Sequence, residues 1–314
     1  KFKMALGLDY AGPDTVFTGY ESLVEKDAEV LALYVNGEAV DKVDAGSECV
    51  AVFNRTPFYA EMGGQVGDQG EGKNGTSILR VLDTFHVKAA VTGMQCHVAE
   101  GSLKVGDKFD LSVNEERRRA TERNHSVTHI MHHALRTVLG DHVAQKGSLV
   151  TPEVTRFDFS HARPLTAEQI AEVERMVNAE ILANTPVTTR VLSIDEAKKT
   201  GAMMLFGERY GETVRVLDIG KSCEFCGGTH VRATGEIGLF KITSESGIAA
   251  GVRRIEAVTG MNALAWAQHS EDLVTRTARE FKAPADEIPT KAADLIGTVR
   301  TLEKGIEQLK SQMA

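Results

Sequence analysis

Short apolar runs separated by turn chemistry occupy the first third of the chain. Residues 30–34, 49–53, 78–87 and 109–113 read as strands, with Asn36-Gly37 and the 70–75 stretch, including Asn74-Gly75, as turns. Many short strands joined by glycine-rich connections predict a small β-barrel over residues 1–110. Near residue 112 the period changes from two to 3.6. Val127, Ile130, Met131, Ala134, Leu135 and Val138 form the packed stripe of a helix. Ser112 or Asn114 can cap it, Glu115 and Glu116 suit its positive end, and Gly140 follows its last apolar position.

Two further helices open on capping boxes, Thr166 with Gln169 and Ser193 with Glu196. Strand patterns lie at residues 156–159, 187–192, 213–219, 238–243 and 252–258. Helices interleaved with strands predict an α+β domain over residues 111–260. Residues 261–314 read as helical, interrupted at Pro284 and Pro289. Leu295, Val299, Leu302, Ile306, Leu309 and Met313 then alternate steps of four and three, as in a coiled-coil seam or one amphipathic helix.

Composition narrows the setting. The 314 residues, 42% hydrophobic and 25% charged, are ordinary for a soluble globular chain with two or three cores. No apolar run reaches membrane-spanning length, and Lys1-Phe2-Lys3-Met4 lacks a signal-peptide layout, reading instead as a cut through a longer protein. Cys49, Cys96, Cys223 and Cys226 are too sparse for a disulfide scaffold, which favours a reducing cytoplasm. A formal charge of −8 argues against nucleic-acid binding through the whole surface, though not through a local basic face.

The candidate chemistry lies in two pairs. His125 and His129 are one helical turn apart and share a face; Cys226 and His230 bracket two glycines in a tight loop. A thiolate with three imidazoles suits zinc. Spacing alone leaves alternatives. His129 and His133 are also i, i+4, and His132 is nearly on the same face. Cys223-Glu224-Phe225-Cys226 is a Cys-x-x-Cys, open to a zinc-knuckle or redox reading.

Several segments, in order, resemble the editing region of the alanyl-tRNA synthetases. They are Phe58-Tyr59-Ala60-Glu61-Met62-Gly63-Gly64-Gln65, Asn124-His125-Ser126-Val127-Thr128-His129, Gln145-Lys146-Gly147-Ser148-Leu149, Arg156-Phe157-Asp158-Phe159-Ser160-His161, Cys226-Gly227-Gly228-Thr229-His230 and Ala250-Gly251-Val252-Arg253-Arg254-Ile255-Glu256. The resemblance covers residues 1–260. It implies a translation-factor-like barrel, a zinc-dependent α+β editing core and the start of a helical linker. It assigns the metal to His125, His129, Cys226 and His230, leaving Cys223 a bystander. It also implies that the adenylate-forming domain and a C-terminal domain of the full synthetase lie outside this chain.

The implied activity is hydrolysis of mischarged tRNA(Ala) carrying serine or glycine, with Zn2+ as cofactor and the rest of the parent synthetase as partner. A dimer would form through missing C-terminal parts. Thr128 is the expected hydrogen-bond partner of a seryl hydroxyl, unless it bonds back to its own helix; Gln145 follows the family pattern as a pocket residue. No carboxylate stands out as general base, with Asp158 and His161 the candidates. Lys146, Arg253 and Arg254 are the expected tRNA cations. Arg117, Arg118, Arg119 and Arg123 offer a basic edge, and Gly63 and Gly64 allow backbone approach to the terminal adenosine. Rival readings are a freestanding trans-editing deacylase, a non-catalytic zinc-stabilised RNA-binding module, and the related threonyl enzyme's editing domain. The barrel motif and the Arg253-Arg254 segment argue for the alanyl family.

Overall fold

A computed structural model describes residues 7–204 and 210–314; the opening Lys1-Phe2-Lys3-Met4 lies outside them. Six antiparallel strands come first: β1 (Val24–Val35), β2 (Glu48–Phe53), β3 (Gly70–Lys73), β4 (Ile78–Lys88), β5 (Val91–Glu100) and β6 (Lys108–Val113). They pair in the order β6-β3-β4-β5-β2-β1, and β6 pairs again with β1, closing a six-stranded barrel. Alternate side chains fill it: Val30, Leu33, Ala51, Phe53, Leu79, Val81, Met94, Cys96, Phe109 and Leu111 are buried together.

The expected strands are present, with longer bounds. The 70–75 stretch differs from its reading as a turn, because Gly70–Lys73 is a barrel strand and the turn begins after it. A Cβ at Gly70 would lie 2.1 Å from the Ser112 carbonyl oxygen, so close packing inside the barrel, rather than chain reversal, requires glycine there.

Asn114 ends the barrel and caps α1 (Glu115–Leu139), accepting the Arg117 amide through its side chain. Antiparallel β7 (Gln145–Val150) and β8 (Thr155–Ser160) follow, then α2 (Ala167–Ala183) with the reciprocal Thr166–Gln169 box. Next come β9 (Thr188–Ser193), α3 (Ile194–Lys199), β10 (Thr213–Ile219), β11 (Ser222–Phe225), β12 (Phe240–Ala249) and β13 (Val252–Thr259). One sheet runs β7-β8-β13-β12 and another β9-β10-β11. The core between them joins Val127, Met131 and Leu135 of α1, Val173 and Val177 of α2, and Phe157, Phe159 and Ile255 of the four-stranded sheet. Helix α1 is therefore enclosed, with even Asn124, Ser126 and Thr128 buried.

Contacts divide the chain after Gly260. Taken by itself, the second unit consists of most of α4 (Gly260–Phe281), a short 3-10 turn at Ala285–Glu287, and α5 (Ile288–Met313). Pro289 does not interrupt α5. It sits in the first turn, where a missing N–H costs nothing. Leu295, Val299, Leu302, Ile306, Leu309 and Met313 are all exposed. Among the described residues, no helix is long and apolar enough to cross a membrane.

Candidate metal centre and cavity

Helix α1 delivers His125 and His129 as nearly parallel rings with centroids 5.3 Å apart. The loop after β11 delivers Cys226 and His230, bringing the His230 ring within 4.5 Å of His125 and 5.2 Å of His129. One ligand atom from each of the four lies within 4.8 Å of all the others. The Cys226 Sγ is 3.5 Å from His125 Nε2 and 3.2 Å from His230 Nε2. A zinc tetrahedron, with Zn–N about 2.0–2.1 Å and Zn–S about 2.3 Å, has edges of about 3.3–3.6 Å. Of the i, i+4 alternatives, the structure brings only His125 and His129 into this group. His133 faces a separate cavity with Met176 and Lys221, and Cys223 turns toward Arg190.

The opposite ring nitrogens are all held. The Gln65 Oε1 accepts the Thr229 amide at 3.0 Å, so that atom is the amide oxygen and can only accept from His125 Nδ1, at 2.7 Å. His125 Nδ1 therefore carries the proton, and its Nε2 lone pair faces Cys226. Gln65 also donates to Thr229 Oγ1 at 2.7 Å, which ties the barrel side to the ligand loop. Glu224 Oε2 lies 2.8 Å from His129 Nδ1, and Ser126 Oγ 3.0 Å from His230 Nδ1. The Nε2 of His129 is buried with no hydrogen-bond partner among the described residues. Three rings with anchored Nδ1 atoms, an orphaned Nε2 and a thiol fit a four-coordinate divalent ion.

Electrostatics agree. Burial alone would raise the Cys226 thiol, but His125, His230 and His129 override it and hold the pKa well below the ordinary value. Burial lowers His230 to about 4, against the partial support of the Cys226 thiolate. For His129 burial opposes charge, yet Glu224 and Cys226 together raise its pKa well above normal. Burial likewise opposes ionised Glu224, and His129 and His132 more than offset it, leaving the carboxyl far below the usual carboxylate range.

His125, His129 and Cys226 line a cavity of about 290 Å³. Thr128, Gln145 and Gly63 also line it. Thr128 Oγ1 donates to the Asn124 carbonyl at 2.8 Å and lies 2.6 Å from Thr155 Oγ1, so the helix-bonded alternative is realised while the residue still borders the cavity. Gly64 packs in the same turn, where a Cβ would meet the Ser148 carbonyl at 2.5 Å. Lys146 is exposed on β7, outside the lining. Arg254 is tied to Asp158 at 2.7 Å, its cross-strand neighbour, and Arg253 to Glu245 at 2.5 Å. His161 pairs with His142, so neither Asp158 nor His161 faces the cavity.

Of the four arginines expected as a basic edge on α1, three are tied to carboxylates. Arg118 is 1% exposed and grips Asp68 while donating to the carbonyls of Gly19 and Pro57. Arg117 and Arg119 pair with Glu153 and Glu122. Sequence reasoning missed Gln65, Ser126 and Glu224 as supports, and Arg215 in the lining.

The loop that carries Cys226 and His230, with the strand before it, lies within a match to the family described as threonyl and alanyl tRNA synthetase second additional domain, residues 214–256. Residues 5–117 match tRNA synthetases class II (A). Over all 314 residues the chain is 57% identical to the alanine–tRNA ligases of Methylibium petroleiphilum and Delftia acidovorans, and 56% to that of Thiobacillus denitrificans. The chain belongs to the alanyl-tRNA synthetase family. It spans 36% of the length of these relatives. Within this alanyl-tRNA synthetase segment, the ligand pairs come from two sequence regions about a hundred residues apart, joined in space by α1 and the β11 loop.

Proposed function

We propose that this segment proofreads: it hydrolyses the ester of tRNA(Ala) mischarged with serine or glycine. An alanine-activating pocket cannot exclude glycine strongly, because one methyl is worth only about 1–3 kcal/mol, and a small pocket rejects an added hydroxyl poorly. A second, hydrolytic site is the physical remedy. The observation that carries the reading is the convergence of one thiol and three imidazoles beside a cavity that His125, His129 and Cys226 line together with Thr128 and Gln145.

His125, His129, Cys226 and His230 would hold Zn2+ there. With four protein ligands, a bound zinc ion supplies fixed positive charge that orients the aminoacyl amine and terminal ribose. The chain's own groups then do the selecting. Gln65, Glu224 and Ser126 keep the imidazoles in their ligating tautomer. Thr128, whose proton is committed to Asn124, offers a lone pair to the hydroxyl of a seryl group, and Gln145 borders the ester from β7. A positioned water is the attacking nucleophile. Gly63 lets the backbone approach the terminal adenosine, with Gly64 behind it, and Lys146 meets phosphate outside the cavity. Arg253 and Arg254 would contribute only on release from their carboxylates.

The division into a barrel over residues 1–110, an editing domain over 111–260 and a coiled-coil start over 261–314 belongs to the same reading. So do the parent synthetase as partner, dimerisation through further C-terminal parts and a cytoplasmic setting. Purified protein incubated with Ser-tRNA(Ala), Gly-tRNA(Ala) and Ala-tRNA(Ala) tests it. The first two esters should be released and the third spared. Three intact esters would leave an RNA-binding module instead.

A further inference from the structure

We propose that Arg215 is an anion-binding fork at the cavity wall that takes a phosphodiester of the acceptor strand; this rests on the reading of the ligand as a tRNA 3′ end. Arg215 lies on β10, half-buried, and lines the same cavity as His125 and Cys226. Its carbonyl accepts the Cys226 amide at 3.0 Å, so its backbone adjoins the ligand loop. The guanidinium carbon sits 3.6 Å from the centre of the Tyr20 ring. Tyr20 is itself fixed: its hydroxyl donates to the Gly227 carbonyl, and Phe17 packs edge-on at 4.8 Å. Stacking uses the face of the guanidinium and leaves its N–H edges free.

No carboxylate pairs with Arg215 among the described residues, and its Nε is buried without a hydrogen bond. Arg118, Arg190, Arg253 and Arg254 are each neutralised by an acidic partner. A partly desolvated cation without an anion is costly, and an anionic ligand relieves that cost. Phosphate geometry matches a planar fork. Tyr59 and Met62 in the same lining offer apolar surface for a nucleoside, which inorganic phosphate would not use.

The test measures binding of a fluorescent CCA trinucleotide to the zinc-loaded chain across a salt series. Arg215→Gln should weaken binding tenfold or more and flatten the slope of log affinity against log salt by about 0.7, the value for one lost phosphate contact on a single strand. Arg215→Lys should keep the slope and lose several-fold in affinity. Arg215→Gln with wild-type circular dichroism, zinc content, affinity and slope overturns the proposal. If Arg215→Gln misfolds, Arg215→Lys decides: wild-type affinity sinks the fork. Inorganic phosphate competing as tightly as the trinucleotide would also overturn it, since the site would then serve a free anion. Arg215-dependent binding without ester hydrolysis would leave this inference standing and refute the proofreading reading; hydrolysis with Arg215-independent binding would do the reverse.

Discussion

Glu224 lies two residues before Cys226, and its carboxylate reaches back to His129 on α1 at 2.8 Å. A carboxylate behind a ligating imidazole fixes the ring and increases its basicity, and its loss typically costs 10–100-fold in metal affinity. Glu224→Ala should therefore weaken zinc binding by about that factor in a chelator competition. Wild-type affinity would show that His129 needs no such support. The signal for Glu224 was present in the sequence, though faint. Ser222, Glu224 and Cys226 alternate, as one face of a short strand must, and Ser222 does bond Glu224 at 3.1 Å. Nothing in residue spacing joins Gln65 to His125 across 60 positions, because that contact depends on how the barrel meets α1. The two local pairs were legible as candidates because each half has chelating spacing, while spacing alone left His132, His133 and Cys223 open; the fold groups His125 and His129 with Cys226 and His230.

At the scale of elements, caps and apolar periods placed the helices closely: Asn114 and Thr166 cap as their patterns suggest, and Ser193 accepts the Glu196 amide without the reciprocal bond that a capping box adds. Strands were legible where β-branched or aromatic residues alternate. They were not legible at Gly70–Lys73, Val91–Glu100 or Gln145–Val150; the glycines of the first and last reflect close backbone approach or a bulged register. Strand β4 carries a pH-sensitive position. Burial lowers the pKa of His86, and its Nδ1 is buried with no hydrogen-bond partner among the described residues. The unfolded chain then takes up a proton near pH 6.5 while the folded chain resists it, so stability falls as pH drops through that region. Denaturant midpoints between pH 7.5 and 5.5 should decline, and less steeply in His86→Asn. An equal slope in both proteins would place the titration elsewhere.

Across the whole molecule up to Gly260, the candidate metal centre is assembled at the junction of the barrel with α1. Arg118 locks that junction: from α1 it binds Asp68 at 2.6 Å and two barrel-side carbonyls, with both charges nearly excluded from water. Removing one partner of such a pair strands the other, at a cost of about 3–5 kcal/mol. Arg118→Met should lower stability by about that much in urea unfolding, whereas a change under about 1 kcal/mol would mean that the junction is held chiefly by apolar contact. This role was hidden in the sequence, where Arg118 stands inside a run of arginines that reads as a solvated helix face. Its burial is set by the fold, as is the choice of His129 over His133.

Zinc K-edge absorption on the zinc-loaded protein tests the central claim most directly. The account predicts one sulfur at about 2.3 Å and three imidazole nitrogens at about 2.0–2.1 Å. A shell with two sulfurs, drawing in Cys223, or one dominated by oxygen would contradict it.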